Sequence, residues 1–165
     1  MSKVFVSHKD IDEALARRVA QRVRQNGLGA YLDSVDPALG RDGPELADYL
    51  LARMSECEQL IAVVSAATSK SWWVPWEIGV GSEKGFRMAS FSESLVQLPT
   101  YLQKWPSLNS LNDIDLYCKL SASTEQQVRA AARVSLSEAA RMSVQKRHAG
   151  DFHRSLKAAL ARTRG

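Results

Sequence analysis

Several kinds of sequence feature are scarce or missing in this chain of 165 residues. It has two cysteines, Cys57 and Cys118, which are too few for a disulfide framework and lack metal-site spacing. No run approaches the roughly 18 apolar residues that a membrane-spanning helix needs. The N-terminus leads directly into an apolar segment, without signal-peptide architecture. These absences predict a protein of the reducing cytoplasm, with no membrane partner and no bound metal.

Common nucleotide and catalytic motifs are also missing. No GxGxxG follows a strand and no GxxxxGK[ST] is present, which excludes dinucleotide-fold and P-loop fingerprints. The three histidines, His8, His148 and His153, have neither HExxH nor zinc spacing. Ser65 and Ser71 have no evident histidine and acid partners for a catalytic triad.

Positive charge is unevenly distributed along the chain. The net charge of +4 divides into −2 for residues 1–120 and +6 for residues 121–165. We therefore predict two parts, a globular domain over 1–120 and a basic helical extension over 121–165. The extension contains a single aromatic residue, Phe152, so a solvated helical face is favoured over a nucleic-acid footprint.

Short apolar runs alternate with helical periodicity over the first 91 residues. Strands are predicted at residues 3–7, 30–32, 60–64 and 88–91, with helices between them. Asp10 is predicted to cap the first helix with Glu13 as its capping-box partner, and Pro44 suits the first turn of the second. This alternation predicts an α/β fold with an open parallel sheet flanked by helices.

The remainder of the chain has weaker patterns. Residues 94–120 are predicted to form short helices and turns, and residues 124–148 an alanine- and arginine-rich helix. Ala149 and Gly150 are expected to break it, and Asp151 to cap a last helix. In open parallel sheets, ligands bind outside the carboxyl ends of the strands, so the loops at residues 7–10, 33–43 and 65–73 are where chemistry is expected.

Glu77 is the sharpest candidate in these loops. It follows the central strand, early in a predicted helix, with three tryptophans close by in sequence: Trp72, Trp73 and Trp76. A carboxylate beside aromatic walls can be tuned for catalysis. The alternative is that Glu77 only favours the positive end of its own helix. Similarly, Trp72 and Trp76 are predicted to be core or cover, as tryptophans usually are.

Four segments, taken in order, resemble the boxes of a TIR domain, the Toll/interleukin-1 receptor fold, in its bacterial form. They lie on predicted strands or at a helix start, and the match runs over roughly residues 3–91. The segments are Val4-Phe5-Val6-Ser7-His8, Tyr31-Leu32-Asp33 with Gly40 after it, Val63-Val64-Ser65, and Ser71-x-Trp73-x-x-x-Glu77. The resemblance implies a flavodoxin-like sheet with a C-terminal helical extension. A further segment, Leu98-Pro99-x-Tyr101-Leu102-x-x-Trp105-Pro106, resembles one that follows TIR domains in small stand-alone bacterial proteins.

The resemblance implies an activity on NAD. Enzymatic TIR domains cleave the nicotinamide–ribose bond, and the glutamate of the W-x-x-x-E motif, here Glu77, is their catalytic residue. Trp73 matches the motif tryptophan. The substrate would contact Ser7, His8 and Lys9, with Lys9 at a phosphate, while the loop around Gly40 and Arg41 closes over it. NAD is then the substrate, and no cofactor or metal is implied.

The family also contains scaffolds, so a non-catalytic module for TIR–TIR assembly stays an alternative. The loop at Arg41 and Asp42 lacks the aromatic residue that stacks on the substrate in some NAD-cleaving members, which leaves His8 or Trp73 for that role. The resemblance implies homo-oligomers through TIR–TIR contacts. The free-standing form is similar to the signal-producing partner of Thoeris-type antiphage systems, with a downstream effector that senses the product.

Overall fold

The computed structural model describes residues 1–32, 43–93, 96–134 and 137–165. Within these ranges the backbone forms one sheet of parallel strands in the order β2-β1-β3-β4-β5. The strands are β1 (Lys3–Ser7), β2 (Gly29–Leu32), β3 (Gln59–Val63), β4 (Arg87–Phe91) and β5 (Ser107–Leu108). The order is that of a flavodoxin-like doubly wound sheet, which confirms the predicted fold class.

Helices cover both faces of the sheet. They are α1 (Glu13–Gln25), α2 (Gly43–Ser55), α3 (Trp73–Glu83), α4 (Leu111–Ala132) and α5 (Glu138–Arg164). One core lies beneath α1, α4 and α5, and a second lies beneath α2 and α3. Successive strand residues alternate between them, so Val4 and Val6 enter the first core and Phe5 the second. Because both faces are buried, apolar residues predominate in the central strands β1, β3 and β4.

The C-terminal helices pack as closely on the sheet as the earlier ones do. Tyr117 of α4 is fully buried, stacks edge-on against Phe152 of α5 at 5.2 Å between ring centres, and donates its hydroxyl proton to the Arg87 carbonyl at 2.9 Å. The predicted boundary at residue 120 falls inside α4, and the division of the chain there stays a prediction. No helix in the described ranges is long and apolar enough to cross a membrane.

Three local predictions are wrong. Asp10 does not cap α1, because residues Asp10–Asp12 form a 3-10 turn and the helix begins at Glu13. Residues 94–120 hold more than short helices and turns, since α4 begins at Leu111 and continues to Ala132. The fourth predicted strand is followed by a fifth, β5, whose two residues are too few to leave an alternating pattern.

The break between the last two helices also differs from the prediction. α5 passes through Gly150 without interruption, and the break lies earlier, before Ser137, whose hydroxyl accepts from the Ala140 amide at 3.1 Å. A glycine inside a helix costs only about 1 kcal/mol. Burial of Phe152 and Leu156 against the sheet outweighs that cost, because tertiary packing supplies most of a helix's stability.

Candidate functional site

The candidate site lies at the carboxyl edge of the sheet, where β1 and β3 end. These strands are adjacent and parallel, with Ser7 paired to Ala62, so the loops that follow them emerge side by side. The first loop carries His8, Lys9 and Asp10, and the second leads through a short 3-10 helix at Ala66–Lys70 into α3. Two of the three predicted loops therefore meet at one edge. The third lies outside the described residues, apart from Gly43.

Glu77 lies where these two loops meet. It is on α3, only 1% of its surface is exposed, and the hydroxyl of Ser7 donates a hydrogen bond to its carboxylate Oε2. Ser7 is the last residue of β1 and is itself fully buried. A strand end thus fixes a helix side chain separated from it by 70 positions in sequence. The sequence interpretation in which Glu77 merely favours its own helix end does not account for this contact.

A cleft of about 340 Å³ opens beside Glu77. This volume is at the lower end of the range for small-molecule sites. Two lysines, two carboxylates and one histidine lie among otherwise mainly apolar and aromatic side chains. The described residues that line it are His8, Lys9, Asp10, Leu46, Leu50, Lys70, Ser71, Trp72, Trp73 and Glu77. The carboxyl group of Glu77 is therefore buried and yet part of a cleft wall.

Hydrogen bonds hold the two loops in place. Ser65 donates from its hydroxyl to Asp12 Oδ2 at 2.8 Å and caps the 3-10 helix by accepting from the Ala67 amide at 3.1 Å. Ser71 accepts from the Val74 amide at 3.3 Å and so satisfies a free N–H at the start of α3. The serine of the S-x-W segment thus sets where the helix carrying Glu77 begins.

The three tryptophans have different environments. Trp73 stands edge-on to Trp76, with 5.5 Å between ring centres, and Trp76 packs against the second core. The prediction of core or cover therefore holds for Trp76. It is wrong for Trp72, which is 90% exposed, because its position just before the first turn of α3 places the ring outside the core.

The structure brings together most of the predicted site residues. His8, Lys9, Trp73 and Glu77 line the cleft, whereas Ser7 lies behind Glu77 and is not part of the wall. Gly40 and Arg41 lie outside the described residues.

Sequence reasoning missed Lys70 as well as the apolar wall from α2, formed by Leu46 and Leu50. Lys70 lies in the loop at residues 65–73, one of the three loops in which site residues are expected, and could have been found there. The two leucines could not, because their helical stripe resembles any core face.

A larger cleft, of about 750 Å³, lies on the other side of α3. Its described wall carries no charged side chain. The residues that line it are Val64, Ser65, Ala66, Thr68, Ser69, Pro75, Ile78, Val96, Gln97, Leu98, Pro99, Tyr101 and Leu102. The smaller cleft is the candidate site, because among the described residues a buried carboxylate and basic groups converge there and not in the larger one.

Part of the basic charge of the predicted extension is engaged within the fold, and no metal-binding cluster is found in the described parts of the chain. Over those ranges, no three His, Cys, Asp or Glu side chains are placed to hold a metal ion. Many basic residues of the predicted extension are engaged within the fold: Arg129 with Glu125, Lys146 with Glu83, Arg154 with Asp151, Arg164 with Asp113, and Lys157 with two backbone carbonyls. The solvated helical face, rather than a nucleic-acid footprint, stays a prediction.

Comparison with known proteins shows which proteins this chain resembles. A probable 3′ cyclic ADP-D-ribose synthase, ThsB′ of Bacillus cereus strain MSX-D12, is 30% identical over 79 residues, which cover 46% of this chain and 41% of that protein. The chain thus aligns with less than half of that relative's length. Among solved structures, a diflavin flavoprotein A3 from Nostoc sp. matches at a TM-score of 0.44 and 12% identity, over 94% of this chain and 93% of that one.

The family model described as the TIR domain matches residues 4–134. This range includes all five strands and both loops that form the cleft, and it extends through α4. The segments that resemble TIR boxes in the sequence all fall within this matched range, and the chain belongs to the TIR domain family.

Proposed function

We propose that this protein cleaves the nicotinamide–ribose bond of NAD⁺ and that Glu77 is its catalytic residue. The observation that carries the proposal is the buried Glu77 carboxylate, held by Ser7 in the wall of a cleft at the ligand-binding edge of the sheet. Family membership and the relative named as a probable cyclic ADP-ribose synthase support the choice of substrate.

Cleavage of the nicotinamide–ribose bond requires little from the protein beyond one correctly placed carboxylate. The C–N bond breaks with its electron pair going to nicotinamide, which leaves as a neutral ring and needs no strong general acid. Positive charge then develops on the ribose, as in other glycosidic cleavages. A fixed carboxylate in a cleft that excludes water stabilises that charge far better than it would in solution.

Ser7 acts as a positioning residue in this scheme. Its hydroxyl donates to Glu77 Oε2 and so orients the carboxylate toward the cleft, without itself forming part of the wall. His8, Lys9 and Trp73 line the cleft and are proposed to contact substrate, with Lys9 at a phosphate. The predicted closure by Gly40 and Arg41 stays part of the proposal.

The product depends on which oxygen nucleophile captures the ribosyl cation. Water gives ADP-ribose and a proton, whereas a hydroxyl of the same molecule forms an internal bond, loses its proton and gives a cyclic ADP-ribose. We propose cyclisation as the main outcome, because the Bacillus cereus relative is named as a probable cyclic ADP-ribose synthase. Exclusion of water from the closed cleft would favour capture by the hydroxyl group over hydrolysis.

The same relative supports a setting in antiphage defence. We propose that the protein assembles into homo-oligomers through TIR–TIR contacts and produces a signal for a downstream effector. A cytoplasmic location fits its two free, buried cysteines, Cys57 and Cys118, since the cytoplasm keeps thiols reduced.

Nicotinamide release from NAD⁺ tests the proposal, with product identity read by chromatography. The protein is assayed dilute and under conditions that promote assembly. We expect Glu77→Gln to lower kcat by about 100-fold or more, in the range for a lost electrostatic contact at a reacting centre. Glu83→Gln is the matched control, because Glu83 lies on the same helix with a side chain that is 86% exposed.

Three results would reverse these assignments. Turnover that survives in Glu77→Gln would remove Glu77 from the chemistry. Wild-type protein that releases no nicotinamide in any assembled state would favour the non-catalytic scaffold. An equal loss in Glu83→Gln would show that the effect comes from destabilising α3.

A further inference from the structure

Trp72 is the most exposed tryptophan of the chain and lines the candidate cleft. Its side chain is 90% exposed, compared with 37% for Trp73 and 9% for Trp105. Trp72 makes no ring contact with any described residue, whereas Trp73 is held by Trp76. Tryptophan is highly buried on average, so an indole that is left in water and lines a cleft is unusual, and its ring is available to stack on a ligand there.

Helix geometry separates the roles of the two neighbouring tryptophans. Trp73 precedes Glu77 by one turn of α3 and so lies on nearly the same helix face. Trp72 is rotated from that face by about 140° and lies about 7.5 Å from Glu77 along the axis. Trp73 is therefore suited to the reacting end of a ligand, and Trp72 to a more distant part.

The charged side chains that line the cleft also differ in burial. The carboxylate of Glu77 is buried and Lys9 is half-buried, whereas Lys70 and Trp72, which also line the cleft, are exposed. Lys70 forms no ion pair with a described residue, so its ammonium group is free to meet an anion. By burial, the Glu77 carboxylate lies innermost, the Lys9 ammonium group follows, and Lys70 and the Trp72 ring lie at the exposed end.

NAD⁺ has the complementary order. A cationic nicotinamide riboside is joined through a diphosphate to adenosine, so its parts would meet a carboxylate, then lysines, then an indole. We propose that Lys70 and Trp72 form the subsite for the adenosine diphosphate half, with the adenine stacked on Trp72 and the diphosphate paired with Lys70. This inference rests on the proposed function and assigns two residues that the TIR boxes do not include.

The test compares NAD⁺ with nicotinamide mononucleotide, which shares the scissile bond and lacks the adenylate. We expect Trp72→Ala to raise KM for NAD⁺ about tenfold, the equivalent of about 1.4 kcal/mol and within the range for base stacking on an aromatic side chain. Its kcat for NAD⁺ and its kcat/KM for the mononucleotide should stay unchanged. Lys70→Met should act in the same way, with a loss that shrinks as salt is raised.

Ile11→Ala is the matched control, since Ile11 is 75% exposed near the cleft but does not line it. It should leave both substrates unaffected. An equal loss on NAD⁺ and mononucleotide in Trp72→Ala would assign Trp72 to the reacting centre or to a contact between subunits, and would overturn the inference. No change on either substrate would overturn it too.

A binding measurement separates this inference from the proposed function. Acrylamide quenches exposed indoles, so ADP bound at the subsite should protect wild-type fluorescence and leave that of Trp72→Phe unchanged. If the wild type cleaves no NAD⁺ but ADP protects Trp72, the catalytic proposal fails and the subsite stands. If ADP gives no protection, the subsite is refuted whatever the catalytic result.

Discussion

Protonation of His153 should weaken the attachment of α5 to the sheet. β4 pairs with β5 only at Ser90 and Phe91, so the amide of Met88 has no strand partner on that side. It donates instead to Nε2 of His153 at 2.8 Å. An imidazolium carries protons on both ring nitrogens and cannot accept this bond.

The size of the effect follows from the pKa of His153. Burial, aided by the positive charges of Lys157 and Lys104, lowers this pKa from 6.5 to about 4. The folded state therefore binds a proton less readily than the unfolded state, so stability is full above about pH 6.5 and falls as the pH drops toward 4. From these two values we expect a loss in the free energy of unfolding of about 1 kcal/mol at pH 5.5 and about 2–3 kcal/mol at pH 4.5.

Urea unfolding of wild type and His153→Gln at pH 7.5, 5.5 and 4.5 measures this term. Glutamine can accept the Met88 proton through its side-chain oxygen and does not titrate. The loss on acidification should be smaller in the variant by the amounts above, and comparing the two proteins cancels the contributions of all other titrating groups. If both proteins lose stability in parallel, the hydrogen bond to His153 is not the acid-sensitive contact.

Three further outcomes are expected. Ser7→Ala should lower kcat for nicotinamide release about tenfold with little change in KM, because a hydrogen bond to a charged group is worth about 1.5–3 kcal/mol. An unchanged kcat would show that Ser7 does not position Glu77. Gly150→Ala should raise the free energy of unfolding by about 0.5–1 kcal/mol, since an added Cβ meets only ordinary contacts within α5. Gly85→Ala should lower it, because Gly85 has a φ of +70° and an added Cβ would lie 2.8 Å from Lys146 Cγ; equal effects in the two glycine variants would contradict this reasoning.

Sequence patterns were strongest where several physical signals agreed. The run at residues 60–64 is apolar without interruption because β3 is covered on both faces, and this predicted a central strand. Parallel strand topology then placed the ends of β1 and β3 together, so residues from distant parts of the chain could be assigned to one site.

Prediction failed where a local signal competed with tertiary packing. Gly150 indicated a helix end, yet Phe152 and Leu156 hold α5 against the sheet across that position. β5 is too short to be recognised, since it has two residues and is defined by its pairing with Ser90 and Phe91 of β4. The exposure of Trp72 could not be predicted either, because it depends on where the helix axis directs a residue just before the first turn.

The last two helices complicate any attempt to find a minimal active fragment. Shortening the chain to residue 120 would uncover the sheet face that carries Ile61 and Phe91, which α5 helps to bury. An open apolar surface of that kind promotes aggregation. Inactivity of a shortened chain would then reflect precipitation, and would carry no information about whether the basic helices take part in signalling.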